Sequence, residues 1–463
     1  MRYHSTRGQV DPIEFQQAVL MGLADDGGLL IPEAIPLVSD RLEAWRGLRY
    51  ADLAFEVLRL FATDVPEADL RGLIDRAYSA EAFGPEVAPT VAVGDLFVLE
   101  LFHGPTLAFK DVALQLLGNL FEYILARSGG GLNILGATSG DTGSAAICGV
   151  RGRKGIRIFI LHPHGSVSPI QERQMTTVLD DHVHNLAVGG SFDDCQHIMK
   201  TLAADLDFKR RYSLGAVNSV NWARVLAQIV YYVKAVFDVQ KATGAESVRV
   251  CVPTGNFGNI LAGWYALKMG VPISRLILAT NRNHILARFF KTGEYRLGEV
   301  WKTMSPSMDI QVASNFERYL YYRTGGDPAG LREKMAGFAA TGRLHVDVPD
   351  GQPVDRQIAS DSADEEQTLE AIRTTHARHG YLLDPHTAVG VSVARRLCGS
   401  GGDPVVCLAT AHPAKFPAAI EEATGRDLAH HPEIDKLLRL PTRCTVVPND
   451  VEKVRAFLVE TIG

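Results

Sequence analysis

Residues 103–115 read HGPTLAFKDVALQ: a Gly-Pro turn, an apolar run, and one lysine, Lys110, where the pattern predicts a helix to begin. A lysine acts as a nucleophile or base only when its amine is neutral. Burial among Leu107, Ala108 and Phe109 and the positive end of a helix both favour the neutral form. A solvated surface lysine would need neither, so the setting marks Lys110 as a candidate for covalent chemistry.

Four further stretches carry groups that could serve such a lysine. In CVPTGNFGNILAG (251–263) an apolar run enters Gly255-Asn256-Phe257-Gly258-Asn259 and then a helical pattern. Glycines let backbone N–H groups turn toward a ligand, and a helix start adds positive potential, so a phosphate suits this loop. It lacks the G-x-G-x-x-G and G-K-[ST] patterns of nucleotide sites, and a tight turn with no ligand is the competing reading. GATSGDTGSAA (136–146) places Ser139, Asp141 and Thr142 in the same kind of turn. Their hydroxyls and carboxylate suit an anionic substrate group, although simple helix capping explains them as well. NSVNWAR (218–224) sets Ser219, Asn221 and Arg224 at the start of a long amphipathic stretch. Asn221 and Arg224 are three apart, which on a helix puts them on one face, a plausible second anion site. In CLATAHPAKF (407–416), Thr410 and His412 follow an apolar strand.

Other patterns are set aside. The histidine pairs at 182–184 (HVH) and 376–379 (HARH) have metal-site spacing but no acid or cysteine to complete a set, so no metal is expected. No G-x-S-x-G elbow or Ser-His-Asp order is present.

These candidates need a scaffold, and the chain supplies one. Its 463 residues, 46% hydrophobic and 22% charged with net charge −6, fit an ordinary globular protein with no call for nucleic acid or an anionic membrane. Six scattered cysteines without C-x-x-C spacing read as reduced thiols and suggest the cytoplasm, and no apolar run is long enough to span a membrane. From about residue 90, short β-branched runs alternate with Gly-rich turns and amphipathic stretches, the pattern of α/β layers on mostly parallel sheets. Such sheets put sites where strands end and helices begin. The expected organisation is a helix-rich N-terminal domain over 1–85, a catalytic α/β region over 90–430 with a smaller subdomain near 135–235, and a peripheral C-terminal segment over 431–463.

Taken in order, HGPTLAFK, SGDTG, NSVNWAR, GNFGN and TAHPAKF resemble the pyridoxal-phosphate threonine synthases of fold type II, as do YHSTRG, GLADDGGLLIP and SPSMDIQVASNFERYLYY. The resemblance spans nearly the whole chain. It departs at ATNRNHIL (279–286), where relatives usually carry an acid in place of His284. It implies that Lys110 carries pyridoxal 5'-phosphate as a Schiff base and that Gly255, Asn256, Phe257, Gly258 and Asn259 hold the cofactor phosphate. It implies that Asp141 lies beside the ring hydroxyl, that Thr410 faces the pyridine nitrogen, and that Ser139 and Thr142 take the substrate carboxylate. Ser219, Asn221 and Arg224 would take the substrate phosphate, while Lys415 has no settled part.

The expected activity is therefore conversion of O-phospho-L-homoserine and water to L-threonine and phosphate, by a monomer or homodimer. The alternatives are an amino-acid dehydratase or β-replacement synthase of the same fold, which has no use for a second phosphate site, and a non-catalytic relative, which would be expected to lose Lys110 or GNFGN.

Overall fold

The computed structural model describes residues 1–215, 217–348, 352–399 and 401–463. Near the N-terminus, Tyr3–Ser5 pairs antiparallel with Leu30–Pro32. Around this pair stand the helices Phe15–Met21, Leu42–Trp45, Tyr50–Leu58, Glu67–Ala77 and Ala80–Phe83. These residues do not form a core of their own. Tyr3, Phe15, Leu53, Leu58, Phe61 and Leu73 belong to one continuous cluster with Leu116, Trp222, Ile229 and Tyr265 from the rest of the chain.

Two larger sheets carry the remainder. One has six strands in the order Ile358–Ser362, Ile273–Thr280, Val248–Pro253, Val405–Ala409, Leu96–Glu100 and Thr90–Val93. All its pairs are parallel except the last. The other has five parallel strands in the order Thr445–Val447, Val183–Val188, Ile156–Pro163, Leu132–Ala137 and Leu214–Gly215. Helices cover both faces of a parallel sheet, which is why IRIFILHP and VRVCVP read as nearly unbroken apolar runs.

Residues 431–463 are peripheral only in the sense of lying at an edge. Thr445–Val447 extends the five-stranded sheet, and the helix Val451–Ile462 buries Val454 and Leu458 in the same cluster as Phe159, Leu186 and Cys195. Among the described residues no helix is long and apolar enough to cross a membrane.

The two sheets aim their strand ends at one region. Thr410 directly follows a parallel strand, Gly255 and Ser139 each lie two residues past one, and the segment after Leu96–Glu100 leads to Lys110. Backbone amides freed at these ends, with helix starts beside them, make the common site.

Candidate active site

Lys110 is the first residue of the helix Lys110–Ser128, which the left-handed Gly129 ends. The turn before it is held from two sides. Leu107 takes a positive φ of 59°, rare for a branched side chain, and its carbonyl accepts from His412 N–H at 3.0 Å. Phe109 N–H donates to the Thr410 carbonyl at 2.9 Å, so TLAF and TAHP run together as an antiparallel bridge. From below, the buried Asp111 accepts from the Thr106 hydroxyl at 2.6 Å and the Thr106 N–H at 2.8 Å. Burial pushes the Asp111 carboxyl up to about 6, against the pull of those hydrogen bonds. The acid that follows the lysine in the sequence thus holds the turn and leaves the amine free.

Lys110 is nearly enclosed, and its Nζ lies 3.4 Å from Asp141 Oδ2. Burial draws its pKa below the usual lysine value; Asp141 opposes this, while Lys415 and Arg224 add to it. Asp141 opens the helix Asp141–Val150. Its other oxygen, Oδ1, meets Lys415 Nζ at 2.6 Å and accepts from Gln171 Nε2 at 2.8 Å. Burial alone would raise the Asp141 carboxyl, but Lys415 and Lys110 outweigh it and hold it well below the usual range. Gly140 makes the approach possible: its φ is +146°, and an added Cβ would stand 2.5 Å from the Gln171 carboxamide. Ser139 and Thr142 flank Asp141, half-buried at the helix start.

The GNFGN loop joins Val248–Pro253 to the helix Gly258–Lys268. Its positive φ falls on Phe257, at 63°, and on neither glycine. The ring is pinned by Phe290, Phe316 and Tyr319 at centroid separations of 5.9, 5.6 and 5.7 Å, and packing of this kind can sustain the strained backbone. Gly255 is required for closeness instead: an added Cβ would meet the Ser307 carbonyl oxygen at 2.5 Å. Asn259 is buried. Its Oδ1 accepts from Tyr231 and Tyr232 hydroxyls at 2.7 and 2.8 Å, while its Nδ2 has no partner among the described residues. A buried donor without an acceptor is uncommon and suits a bound anion.

Arg224 is a second such group. It is buried; its guanidinium donates to the Val217 carbonyl at 2.9 Å, its Nε has no partner, and no carboxylate pairs with it among the described residues. Burial lowers its pKa to about 10. Asn221, expected to share this anion site, does other work. Its Oδ1 caps the helix Trp222–Thr243 by accepting from Ala223 N–H at 3.1 Å, and its Nδ2 donates to the Val19 carbonyl at 2.8 Å. Both halves of the amide already serve the fold.

Ser219 lies at the boundary between the two loops, its hydroxyl 2.8 Å from that of Ser314. The loops are tied by Asn315, whose Nδ2 donates to the carbonyls of Ser219 at 3.1 Å and Asn256 at 3.3 Å. Arg318, fully buried, holds Asn315 Oδ1 at 2.5 Å and reaches the carbonyls of Leu30 and Val220. The role of SPSMDIQVASNFER is thereby visible: it spaces the two loops.

Thr410 is buried at the end of Val405–Ala409, its N–H donating to Thr387 Oγ1 at 3.3 Å. Thr387 in turn bonds Asp384, which also holds His386 Nδ1 at 2.9 Å. His386 Nε2 accepts from Ser307 N–H at 3.2 Å, so its proton sits on Nδ1. Sequence reasoning missed Gln171, Ser307, Asn315 and the Asp384–His386 pair because each acts across the fold.

The set-aside patterns stay outside the site. Among the described residues no group of histidines, cysteines and acids could hold a metal. His182 accepts from Gly152 N–H at 3.1 Å, and His184 stacks on Phe159 at 4.7 Å. His284 is exposed, its Nδ1 2.8 Å from the Arg282 carbonyl.

Comparison with known proteins follows the same map. Residues 2–78 match the family model described as threonine synthase N terminus, 85–346 that of pyridoxal-phosphate dependent enzymes, and 387–458 that of threonine synthase, C-terminal. The chain is 47% identical over 462 residues to the threonine synthase of Pseudomonas aeruginosa, covering 99% of this chain and 98% of that one. It is similar to the crystal structure of PLP-bound threonine synthase from Brucella melitensis, with a TM-score of 0.93, 43% identity and coverage of 100% and 99%. It is also similar to the yeast threonine synthase structure, with a TM-score of 0.92, 42% identity and coverage of 100% and 98%.

Proposed function

The chain belongs to the threonine synthase family, and from that premise we propose that it converts O-phospho-L-homoserine and water to L-threonine and phosphate with Lys110 as its reacting amine and Arg224 as the anchor of the substrate phosphate. The observation that carries the choice of substrate is the buried, unneutralised guanidinium of Arg224, close enough to Lys110 for its charge to bear on the amine. A dehydratase or β-replacement synthase has no second phosphate to bind there.

The residues fit pyridoxal phosphate, the cofactor of this family. The amine is buried and its pKa is drawn below the usual lysine value, the Gly255 turn admits no side chain, and Asn259 Nδ2 is an orphaned donor among the described residues. When bound, the cofactor draws electrons from the substrate's Cα and weakens its C–H bond. Lys110 would be its covalent anchor, residues 255–259 would hold its phosphate, Asp141 would lie beside its ring hydroxyl, and Thr410 would face its pyridine nitrogen. A hydroxyl at Thr410, where a carboxylate would favour a protonated ring, suits elimination followed by addition.

The chain's own groups divide the remaining work. Ser139 and Thr142, at the positive start of Asp141–Val150, would orient the substrate carboxylate. Arg224 and Ser219 would hold the distal phosphate, without the Asn221 side chain. Lys110, neutral once freed, would take the Cα proton and serve as acid and base at the neighbouring carbons. A proton would leave Cβ as the C–O bond at Cγ breaks and phosphate departs; Cγ would then take up a proton to become the methyl, the oxygen of water would bond to Cβ as its spare proton is given up, and a proton would return to Cα. One amine suffices because these carbons are consecutive.

Six free thiols support a reducing, cytoplasmic setting, and the proposed assembly is a monomer or homodimer that acts on this small molecule. The deciding experiment is phosphate release from O-phospho-L-homoserine with threonine identified by chromatography, set beside 2-oxo acid formation from L-serine and L-threonine. Turnover of the phosphorylated substrate is expected to dominate. Efficient deamination of serine or threonine with no phosphate release would sink the reading.

A further inference from the structure

Lys415 is a second amine in the site, and the reaction described above gives it no part. It is 1% exposed, its Nζ 2.6 Å from Asp141 Oδ1 and 2.9 Å from the Thr106 carbonyl. Lys110 approaches the opposite oxygen at 3.4 Å. Gln171 Nε2 donates to Oδ1 at 2.8 Å, and Ser307 Oγ to Oδ2 at 3.4 Å. One carboxylate is therefore shared by two lysine side chains, and the shorter contact belongs to the lysine without assigned chemistry. Enclosing an ammonium group sacrifices its hydration, and a methionine would fill the same space without that penalty.

Asp141 alone would hold Lys110 in its charged form and idle it as a base. With Lys415 on Oδ1, much of the carboxylate's charge is already matched, and a second positive charge stands near Lys110. The charged groups bearing on Lys110 are Asp141, Lys415 and Arg224. Asp111, next along its helix, is turned to the Thr106 loop, and His386 stands beyond the Ser307 N–H. Among these three charges only Asp141 favours the ammonium form.

We propose that Lys415 is a positioning residue that fixes Asp141, absorbs its charge and sets its own positive charge near Lys110, so that the Lys110 amine is released neutral. The proposal rests on Lys110 being the reacting amine. The direction of the Lys110 shift agrees: burial lowers it most, Lys415 and Arg224 lower it further, and Asp141 opposes.

The test uses apoprotein and pyridoxal phosphate. The rate at which visible absorbance appears is followed from pH 6 to 10, since capture requires a neutral amine at position 110. Lys415→Met is expected to move the midpoint of that profile up by about one pH unit, slowing capture at pH 7 roughly tenfold. Lys415→Arg keeps the charge and should leave the midpoint nearly in place. Asp141→Asn alone should lower the midpoint, and adding Lys415→Met to it should raise it again toward the wild-type value. This last pair decides the matter even if Lys415→Met alone does not fold, because the double variant buries neither charge. An unmoved midpoint in Lys415→Met, or equal midpoints in Asp141→Asn and the double variant, overturns the proposal. A Lys110→Ala apoprotein that still acquires the absorbance overturns the assignment of Lys110 instead, so the two failures are distinct.

Discussion

A methyl group added at Gly255 would stand 2.5 Å from the carbonyl oxygen of Ser307, inside van der Waals contact. The GNFGN turn and the Ser305–Asp309 segment touch through that glycine, and Ser307 also reaches Asp141 and His386. Gly255→Ala must therefore push a segment that contacts the Asp141 carboxylate. Overpacking of this kind costs about 1–3 kcal/mol, so pyridoxal phosphate affinity should fall roughly 5- to 140-fold. Gly258→Ala meets only the Asn315 amide at 3.2 Å and should lose less. Absorbance titration of both apoproteins checks the order; equal affinities, or a greater loss at Gly258, would refute it.

Arg224→Ala should lower turnover of O-phosphohomoserine by at least about thirtyfold, since removing a charged partner from a buried anion costs about 2–5 kcal/mol. Cofactor absorbance should survive, because the cofactor phosphate is assigned to the other loop. Inorganic phosphate should inhibit the wild type and inhibit the variant more weakly. Loss of cofactor with phosphate inhibition unaltered would mean that the two anion sites have been exchanged.

Lys110→Ala should abolish turnover while leaving the fold intact, because the Asp141 carboxylate keeps Lys415 as its partner. Borohydride treatment of wild-type holoenzyme should fix the cofactor to the peptide containing residue 110, and the variant should yield no such adduct. Mass spectrometry of the digested protein reads both outcomes.

Asp111 gives a pH dependence with a definite sign. Its folded-state pKa of about 6 lies above the ordinary 3.8, so between these values the folded chain binds more protons than the unfolded one. Its contribution to stability is greatest below pH 4 and declines as pH rises through 6. A gap of about two pH units corresponds to ~3 kcal/mol. Relative to Asp111→Asn, the wild type should therefore lose stability between pH 4.5 and pH 7.5. Urea midpoints of both apoproteins at the two pH values measure this, and a constant difference between the proteins would contradict it.

Much of the site was legible in the sequence because its recognition elements are local. A strand, a glycine turn and a helix start lie within a dozen residues, and backbone amides at such a junction bind anions whatever lies elsewhere. GNFGN, SGDTG and the lysine at a helix start could be read that way, as could the alternation that implies parallel sheets. Local rules also misplaced details. Spacing put Asn221 and Arg224 on one helix face, but Asn221 is the residue before the helix, and its side chain caps the helix instead. The left-handed residue of GNFGN is Phe257 and neither glycine, held there by aromatic rings from distant segments.

The sequence by itself determined the layered α/β architecture and marked one lysine and a few glycine-rich turns as the candidates for its chemistry. Tertiary structure alone decided the charge state of the site. Lys415, Asp141 and Lys110 come from separate parts of the chain, and only folding brings both amines to one carboxylate and excludes water from them. Burial also leaves Arg224 Nε without a hydrogen-bond partner among the described residues. Electrostatic energy depends on distance and on the surrounding dielectric, and neither quantity exists until the chain has closed around these groups.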